Sequence, residues 1–393
     1  MAVTELYFGA ASAGADDGTS WANRMAFVVS GAINTAISGF DFTSNSLIAY
    51  VGPGTHTLTT GIATFTGTTG PTIKFCCDFR AVLSDGTDWT PPDPDWNCCQ
   101  PDWDDTDMPV IATTTNIGHG NTGCSFYGIK FTATGRTSAS GMTGNMFGYD
   151  WCILDQQTAN TAAVCVASTV QFITNTVLKC SGTSYDVVFT NSTVPVLISN
   201  LRISGNAAAS SGNRRGLVAS TNGSSYAHNM CIADHVGVGF TATSAGVNAR
   251  LQLGKMTIAN CLAGGISAAS TSASGTNITN CFITGDGSAG YGITQTGTAP
   301  FLVNNTRIRD FSTGDTNGLT EYSVPPFRNN ITTAGTDADE YVDAASGDYR
   351  IKNTSDYWGK NLGAGDQPAA GAGDYTFAQV KQLRYKMRQG ALV

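Results

Sequence analysis

Residues 76–108 concentrate the side chains best suited to chemistry or recognition. This stretch, CCDFRAVLSDGTDWTPPDPDWNCCQPDWDDTDM, carries four cysteines, nine aspartates and three of the six tryptophans, Trp89, Trp96 and Trp103. Exposed tryptophan faces can stack on pyranose rings, and clustered carboxylates suit Ca²⁺, although the spacing does not match an EF-hand loop. We favour a third interpretation, a lateral insert whose tryptophans pack on the body of the protein or bind a partner protein.

Two cysteine doublets, Cys76-Cys77 and Cys98-Cys99, flank this insert. The N-terminal sequence MAVTELYFGA lacks the basic start and apolar core of a secretory signal, so we expect most of the eleven cysteines to be reduced and buried. The doublets are the exception, because they can pair across the insert in an oxidising medium. We predict no metal and no other cofactor.

Candidates for acid–base catalysis are few. Asp155, Asp234 and Asp310 recur at one position of the repeat described below, but three repeats apart, which is about 14 Å at the strand spacing and too far for a catalytic pair. Asp286 and Asp310, in adjacent repeats, are the best remaining pair. We favour turn positions for all four and predict no catalytic residue.

The C-terminal segment 374–393, DYTFAQVKQLRYKMRQGALV, has apolar residues at helical spacing and basic residues on the remainder of the helix. A basic amphipathic helix on an acidic protein predicts a docking element. A helix that folds back to cap the body of the protein fits the same pattern equally well. The predicted partner-binding residues of this tail are Phe377, Val380, Lys381, Leu383, Arg384, Met387 and Arg388.

A repeat of about 25 residues must position these segments. One apolar residue marks each repeat, and successive markers are separated by 22, 25, 25, 29, 26, 25 and 25 residues. The markers are Phe131, Ile153, Leu178, Ile203, Ile232, Ile258, Ile283 and Ile308. The residue two before a marker is mostly apolar and the residue one before is mixed, which indicates a strand. A second short strand follows each marker, often announced by glycine. Five markers have asparagine three residues before them, which suits a left-handed turn and a ladder of stacked amides.

A unit of this size without a helix cannot bury its apolar face alone, so the units must stack into an all-β parallel solenoid. The residues one before the markers face outward and include no carboxylate, which makes this face a poor groove for a lyase or hydrolase. These outward residues are Lys130, Cys152, Val177, Arg202, Cys231, Thr257, Phe282 and Arg307.

Three segments resemble parts of right-handed parallel β-helix proteins of the pectate-lyase-like superfamily. Residues 7–27 (YFGAASAGADDGTSWANRMAF) resemble their opening strand with its capping helix, residues 47–60 resemble their first rung, and residues 341–364 resemble their closing segment. The resemblance implies a right-handed β-helix, and the superfamily includes polysaccharide lyases, glycosidases and phage tailspikes. Four parts are expected: an N-terminal cap with a short helix over 1–46, the β-helix over 47–330 with the insert at 76–108, a closing segment over 331–366, and a helical tail over 367–393.

Composition narrows the function further. A net charge of −8 argues against nucleic acid as a partner, and the absence of an 18-residue apolar run argues against a membrane. A β-helix made in the host cytoplasm without an export signal is expected in a virion, because lysis exposes virion proteins. The sequence therefore favours a structural protein of a phage particle, a head decoration or spike that binds other virion proteins and forms a homo-oligomer. A glycan-binding or glycan-cleaving tailspike is the alternative.

Overall fold

The structure, a computed structural model, describes a defined part of the chain. These residues are 3–27, 33, 35–36, 40, 45–58, 77–113, 124–133, 148–156, 164–166, 172–180, 187–190, 196–205, 216–220, 225–242, 251–269, 276–287, 290–298, 301–304, 306–318, 340–355 and 363–364. No helix in these residues is long and apolar enough to span a membrane.

The fold is an all-β parallel solenoid, as the repeat predicts. Three stacks of parallel strands form its walls, and each strand pairs with the equivalent strand of the next rung. The first stack contains β1 (Val3–Gly9), β3 (Ser46–Val51), β5 (Cys77–Ala81), β7 (Cys124–Tyr127), β9 (Gly148–Asp150), the first halves of β12 (Phe172–Cys180), β14 (Val196–Ser204), β16 (Ser225–His235) and β18 (Leu251–Cys261), then β20 (Thr276–Thr279) and β23 (Phe301–Asn304).

The second stack follows a bend in each rung. It contains β4 (Thr55–Leu58), β6 (Val110–Thr113), β8 (Lys130–Ala133), β10 (Ile153–Gln156), the second halves of β12, β14, β16 and β18, then β21 (Phe282–Thr284) and β24 (Arg307–Arg309). The third stack contains β11 (Val164–Val166), β13 (Val187–Thr190), β15 (Leu217–Ser220), β17 (Val238–Ala242), β19 (Gly264–Ala268), β22 (Tyr291–Gln295) and β25 (Gly314–Asn317).

The short elements at the two ends differ from the stacks. Near the start, a 3₁₀ turn (Trp21–Asn23) precedes β2 (Met25–Ala26), which pairs with the end of β1. Within 7–27 this single turn stands where the sequence predicts a capping helix, and most of residues 28–44 lie outside the described part. Near the end, β26 (Tyr341–Asp343) and β27 (Asp348–Ile351) form an antiparallel hairpin around a 3₁₀ turn (Ala344–Ser346). The predicted helical tail lies outside the described residues.

Most of the predicted markers form one interior stack, but the register of the second marker is wrong by one residue. Leu154, not Ile153, pairs with Phe131 and Leu178. The residue three before Ile153 is Asp150, but it is Trp151 that adopts the left-handed conformation at the bend, with φ of 53°. Cys152 therefore points into the interior core, and Ile153 replaces it in the outward row. The sequence missed this because tryptophan seldom adopts positive φ.

The glycines that announce the third-stack strands make room for the markers. A Cβ atom at Gly216, Gly239, Gly265 or Gly292 would lie 2.1–2.5 Å from the Cγ2 atom of the isoleucine marker in the next rung. Such a distance is a severe overlap, so the isoleucines fill the space that glycine leaves open. Gly318 departs from this pattern, since Thr316 pairs with Ile293 and Gly318 follows the strand.

The asparagine ladder at the bend is confirmed for Asn175, Asn200 and Asn229, and Asn305 lies outside the described residues. Asn175, Asn200, Asn229 and Asn280 have φ between 47° and 57°. The Nδ2 atom of Asn200 donates to Oδ1 of Asn175 (2.9 Å), and Nδ2 of Asn229 donates to Oδ1 of Asn200 (3.4 Å). Asn200 and Asn229 therefore each donate to the asparagine of the preceding rung, and the bend occurs at the same place in successive rungs.

Candidate functional site: the covered lateral face

The outward row of the second stack is buried along most of its length. In register it runs from Lys130 through Ile153, Val177, Arg202, Cys231, Thr257 and Phe282 to Arg307. Every member from Ile153 onward is at most 5 % exposed. The apolar members of the row, Ile153, Val177, Cys231 and Phe282, belong to a second apolar cluster outside the solenoid wall. Two other segments cover it, residues 82–108 of the insert and, in the closing segment, residues 340–355 and 363–364. We call these two segments together the cover.

The insert packs its tryptophans against the wall. Trp96, Trp103 and Trp151 form a cluster of rings whose centroids lie 4.7–6.3 Å apart. Trp89 lies edge-on to Tyr127 at 5.9 Å, over Gly128, where a Cβ atom would lie 2.5 Å from the indole ring. The relative exposures of the three insert tryptophans are 4 %, 4 % and 7 %.

This burial decides between the interpretations of the insert. The predicted roles of Trp89, Trp96 and Trp103 as a sugar-stacking platform or as partner-binding residues require exposed rings. In the structure these rings pack against the solenoid wall. Packing on the wall removes the apolar faces of all three rings from water, which stabilises the fold. The partner-binding assignment of these tryptophans therefore finds no support in the structure.

The aspartates of the insert serve as ion-pair and turn partners. Asp105 pairs with Lys130 at 2.6 Å, and Asp102 pairs with Lys179. Asp85 and Asp104 accept hydrogen bonds from the threonine two residues ahead, which lower the pKa of both carboxyls. Among the described residues, no group of three or more metal-ligating side chains is placed to hold an ion.

Arg202 is the central link between the wall and the insert. It is 5 % exposed, and its Nη1 atom donates to the carbonyls of Cys98 (3.3 Å) and Gln100 (2.8 Å). Its Nε atom lies 3.4 Å from Asp102. A buried guanidinium needs several acceptors to offset its desolvation, and the insert backbone supplies them. Arg202 therefore fixes where the insert lies.

The asparagine ladder supplies a second link. Asn200 accepts from the Cys98 backbone amide at 2.8 Å and donates to the Trp96 carbonyl at 2.9 Å. The same side chain also takes part in the ladder between rungs. One residue thus joins the periodic core to the aperiodic insert, and it satisfies two backbone groups that burial would otherwise leave without water.

The closing segment covers the next rungs and extends the second apolar cluster. Tyr341 and Tyr349 pack edge-on at 5.3 Å, and Tyr341 meets Phe282 at 5.5 Å. The Tyr349 hydroxyl donates to Asp234 at 2.8 Å, and burial together with the Asp234 charge raises the pKa of Tyr349. The Tyr349 amide donates to the Cys99 carbonyl at 2.7 Å, so the two parts of the cover also bind each other.

The candidate carboxylates occupy turn and wall positions. Asp234 and Asp310 have φ of 64° and 60°, as expected of turn residues. Asp234 also accepts from Asn260 at 2.7 Å, and Arg309 pairs with Asp310 at 3.1 Å. Asp155 does not occupy the equivalent position of its rung. Leu154 is the marker there, so Asp155 directly follows the marker and pairs with Lys179. Asp286 is exposed, and the amide of the next residue, Gly287, donates to the Asp310 carbonyl at 2.9 Å.

The described cysteines are buried and outside disulfides, which confirms the prediction for seven of them: Cys77, Cys98, Cys99, Cys152, Cys231, Cys261 and Cys281. Pairing across the insert is wrong for Cys77, which belongs to the interior core, whereas Cys98 and Cys99 belong to the outer cluster. Cys76 lies outside the described residues.

A groove of about 730 Å³ opens where the two parts of the cover meet. Asp93, Asp95, Asn97 and Gln100 line one side. Val342 and the stretch 350–354, which includes Arg350 and Lys352, line the other. Arg350 forms a bidentate ion pair with Asp348, which raises the pKa of Arg350. Most of the residues that line the groove are polar and of mixed charge, although the larger part of its exposed lining area is apolar.

The residues that hold the cover were only partly visible in the sequence. Arg202, Asn200 and Tyr349 carry the contacts, and none of them is among the predicted site residues. An arginine in an outward row flanked by valine and cysteine was the one available signal, since a charged residue between apolar neighbours predicts a buried partner. The seven predicted partner-binding residues of the tail lie outside the described residues.

Neither a protein-family model, nor a curated protein, nor a solved structure matches this chain. Function is therefore argued from the covered face itself.

Proposed function

We propose that this chain is a non-enzymatic structural protein of a phage particle, a head decoration or spike that docks on the virion and presents its solenoid to the outside. The observation that carries the proposal is the covered lateral face. An enzyme acting on a polymer needs an open face with convergent catalytic groups, and here the insert and the closing segment fill the face of the second stack.

The energetics of the cover support a permanent structure. Its central contacts include a buried arginine with two backbone acceptors, a ring cluster and two links through Asn200. Opening it would expose several large apolar side chains, each worth about 1.5–3 kcal/mol when buried. A substrate would have to compensate for that whole loss before it reached the wall, so the arrangement favours a structural role over catalysis.

The assignment to a virion rests on the resemblance of the opening and closing phrases to pectate-lyase-like β-helix proteins, which include phage tailspikes. A solenoid in which each rung is hydrogen-bonded to both neighbours suits a projecting, stiff element. The basic tail is the proposed attachment segment, with most of its affinity coming from burial of Phe377, Val380, Leu383 and Met387.

The experiment compares the full chain with a chain that ends at residue 373. We expect the truncated protein to keep the circular dichroism of the full chain but to be lost from particles and from any homo-oligomer. A matched control replaces Lys381, Arg384, Lys386 and Arg388 with glutamine, which keeps the apolar face and should weaken attachment in a salt-dependent way.

Two results would contradict this proposal. Normal incorporation of the truncated chain would exclude the tail as the attachment segment. Particles purified from infected cells that contain no peptide of this chain, analysed by mass spectrometry, would exclude the virion role altogether.

A second candidate, glycan binding, is favoured by the groove between the two parts of the cover. Carboxylate, amide and cationic groups on facing walls are the groups that hydrogen-bond sugar hydroxyls. Host surface glycan that binds the native protein, and binds Asp95→Asn and Lys352→Gln variants at least tenfold more weakly, would support this candidate. Release of reducing ends or unsaturated uronates that disappears in Asp286→Asn or Asp310→Asn would instead indicate cleavage.

A further inference from the structure

The groove between the two parts of the cover exposes apolar surface to water. Val342 on its lining is 44 % exposed, and the only other large apolar side chain that is exposed among the described residues is Val3, on the first strand. Ile351 belongs to the same lining, and most of the exposed lining area is apolar. A recess of this kind is typical of a surface that binds a ligand or a protein segment.

The insert side of the groove is acidic. Asp95 is exposed and Asp93 is half-buried, and within the described part of the chain neither carboxylate forms an ion pair. On the opposite side, the charge of Arg350 is balanced by its bidentate ion pair with Asp348, and Lys352 is the other cation. The insert side therefore attracts a cationic partner.

The chain that leads to the C-terminal tail starts beside this groove. Ala364 is the last described residue, and its carbonyl accepts from Nδ2 of Asn97, a residue of the groove lining, at 3.0 Å. The Ala364 amide donates to Oγ1 of Thr257 at 3.0 Å. The Gly363 amide donates to the Asn280 carbonyl at 2.8 Å. Three hydrogen bonds therefore fix the start of the tail connection against the groove.

The connection from Ala364 to the tail is short. Residues 365–373 have the sequence GDQPAAGAG, which is rich in glycine and alanine and predicts a flexible linker. Nine residues of this kind span about 15–18 Å on average. A linker of this length gives the tail an effective concentration of about a millimolar at the groove of its own molecule. At micromolar protein, the groove of a second copy cannot compete with that.

We propose that the tail, residues 374–393, docks in the groove of its own molecule. Its apolar residues bind the apolar lining, and its basic residues lie toward Asp93 and Asp95. The inference concerns the free chain and does not rest on the proposed virion role. A docked tail and a bound glycan exclude each other, because both need the same lining. The apolar residues are Phe377, Val380, Leu383 and Met387, and the basic residues are Lys381, Arg384, Lys386 and Arg388.

The two kinds of contact respond differently to salt. Burial of apolar side chains on the lining does not depend on ionic strength, whereas exposed ion pairs contribute little and are screened. High salt should therefore weaken docking about threefold without abolishing it.

The test is hydrogen exchange of the full chain, with the isolated peptide 374–393 as reference. An amphipathic helix is marginal in water until its apolar face is packed. We expect amides of residues 377–387 to exchange at least about tenfold more slowly in the full chain than in the peptide. This protection should stay the same when the protein concentration is raised tenfold, because docking is intramolecular.

Four variants locate the docking surface. Val342→Glu, which places a charge on the apolar lining, should return the tail amides to the exchange rate of the isolated peptide. Asp95→Lys should reduce their protection about threefold. The matched controls are Val3→Glu, at the other exposed valine, and Asp107→Lys, at an exposed aspartate of the insert outside the groove. Both controls should leave the protection unchanged.

Carbodiimide cross-linking of the native full chain gives a second measurement, which holds even where a variant fails to fold. We expect monomers in which Lys381 or Lys386 is linked to Asp93 or Asp95, identified by mass spectrometry of a digest. Three results would overturn the proposal. Tail amides that exchange as in the isolated peptide would show that the tail is not docked. Protection that rises with protein concentration would assign the tail to a second copy, and protection that survives both Val342→Glu and Asp95→Lys would place it elsewhere on the molecule.

Discussion

The interior of the solenoid and the cover on its lateral face are stabilised in different ways. Interior positions repeat, so Ile232, Ile258 and Ile283 occupy the same environment in successive rungs and contact the same kinds of neighbour. The cover has no period, and its place depends on single residues such as Arg202 and Asn200. A repeated core tolerates conservative apolar changes at any one rung, because the neighbouring rungs keep the same contacts, whereas a unique contact has no substitute. Four substitutions test this comparison.

Ile258→Asp should have the largest effect, because it places a carboxylate in the fully buried stack of markers. Burial of a charge without a partner should cost more than about 4 kcal/mol, enough to prevent soluble expression or to lower the urea midpoint sharply. Ile258→Val is the matched control and should cost about 1 kcal/mol. An aspartate variant with the native melting temperature would show that the rung register is wrong.

Arg202→Met should open the cover and leave the solenoid folded. The change removes the donors to two insert carbonyls and leaves Asp102 with Lys179 as its remaining ion-pair partner, at a cost of about 3 kcal/mol. Hydrogen exchange should rise in residues 96–100 and stay unchanged in β16 and β18. Lys179→Met removes the more exposed partner of the same aspartate and should cost under about 1 kcal/mol. Equal effects of the two variants would argue against a central role for Arg202.

Tyr349→Phe should lower the free energy of unfolding by about 2 kcal/mol at pH 7, because the lost hydroxyl donates to a carboxylate. Tyr341→Phe is the matched control and should lower it by about 1 kcal/mol, because the Tyr341 hydroxyl hydrogen-bonds the neutral Thr284 hydroxyl. The two variants also differ in pH dependence. The raised pKa of Tyr349 means that its neutral form is favoured in the folded state. This preference stabilises the folded state fully below about pH 10, and the stabilisation is lost as the pH rises further. Urea unfolding should therefore show a shallower decline of stability above pH 10 for Tyr349→Phe than for the native protein.

Lys255→Asn should have the smallest effect and should stabilise the protein. Lys255 occupies the ladder position with φ of 50°, and the buried Oδ1 atom of Asn229 in the preceding rung accepts no hydrogen bond. Asparagine tolerates this conformation and would place an Nδ2 donor where the ladder needs one, for a gain of about 1 kcal/mol. Lys255→Ala should give no gain. A neutral or destabilising asparagine variant would show that rung geometry does not carry the ladder through this position.

The sequence predicts the solenoid because the same signals recur many times. Eight markers and four glycines recur at nearly the same spacing. Assigning Ile153 instead of Leu154 as the marker of one rung therefore does not change the prediction for the other rungs. The cover was not predictable to the same extent. Its tryptophans announced a special segment, but their burial depends on contacts with Tyr127 and Trp151 that no local pattern encodes. Long-range contacts of this kind, such as Tyr349 with Asp234, appear only when the chain is folded.

The most direct test of the covered face is native-state hydrogen exchange of two amides in the unmodified protein. The Cys98 amide donates to Asn200, and the Tyr349 amide donates to Cys99, so each reports one part of the cover. We predict that both exchange at least about 1,000-fold more slowly than exposed amides, which corresponds to an opening free energy of about 4 kcal/mol. Exchange of either amide at the rate of an exposed loop would show that the lateral face is open in solution, and would remove the observation on which the structural role rests.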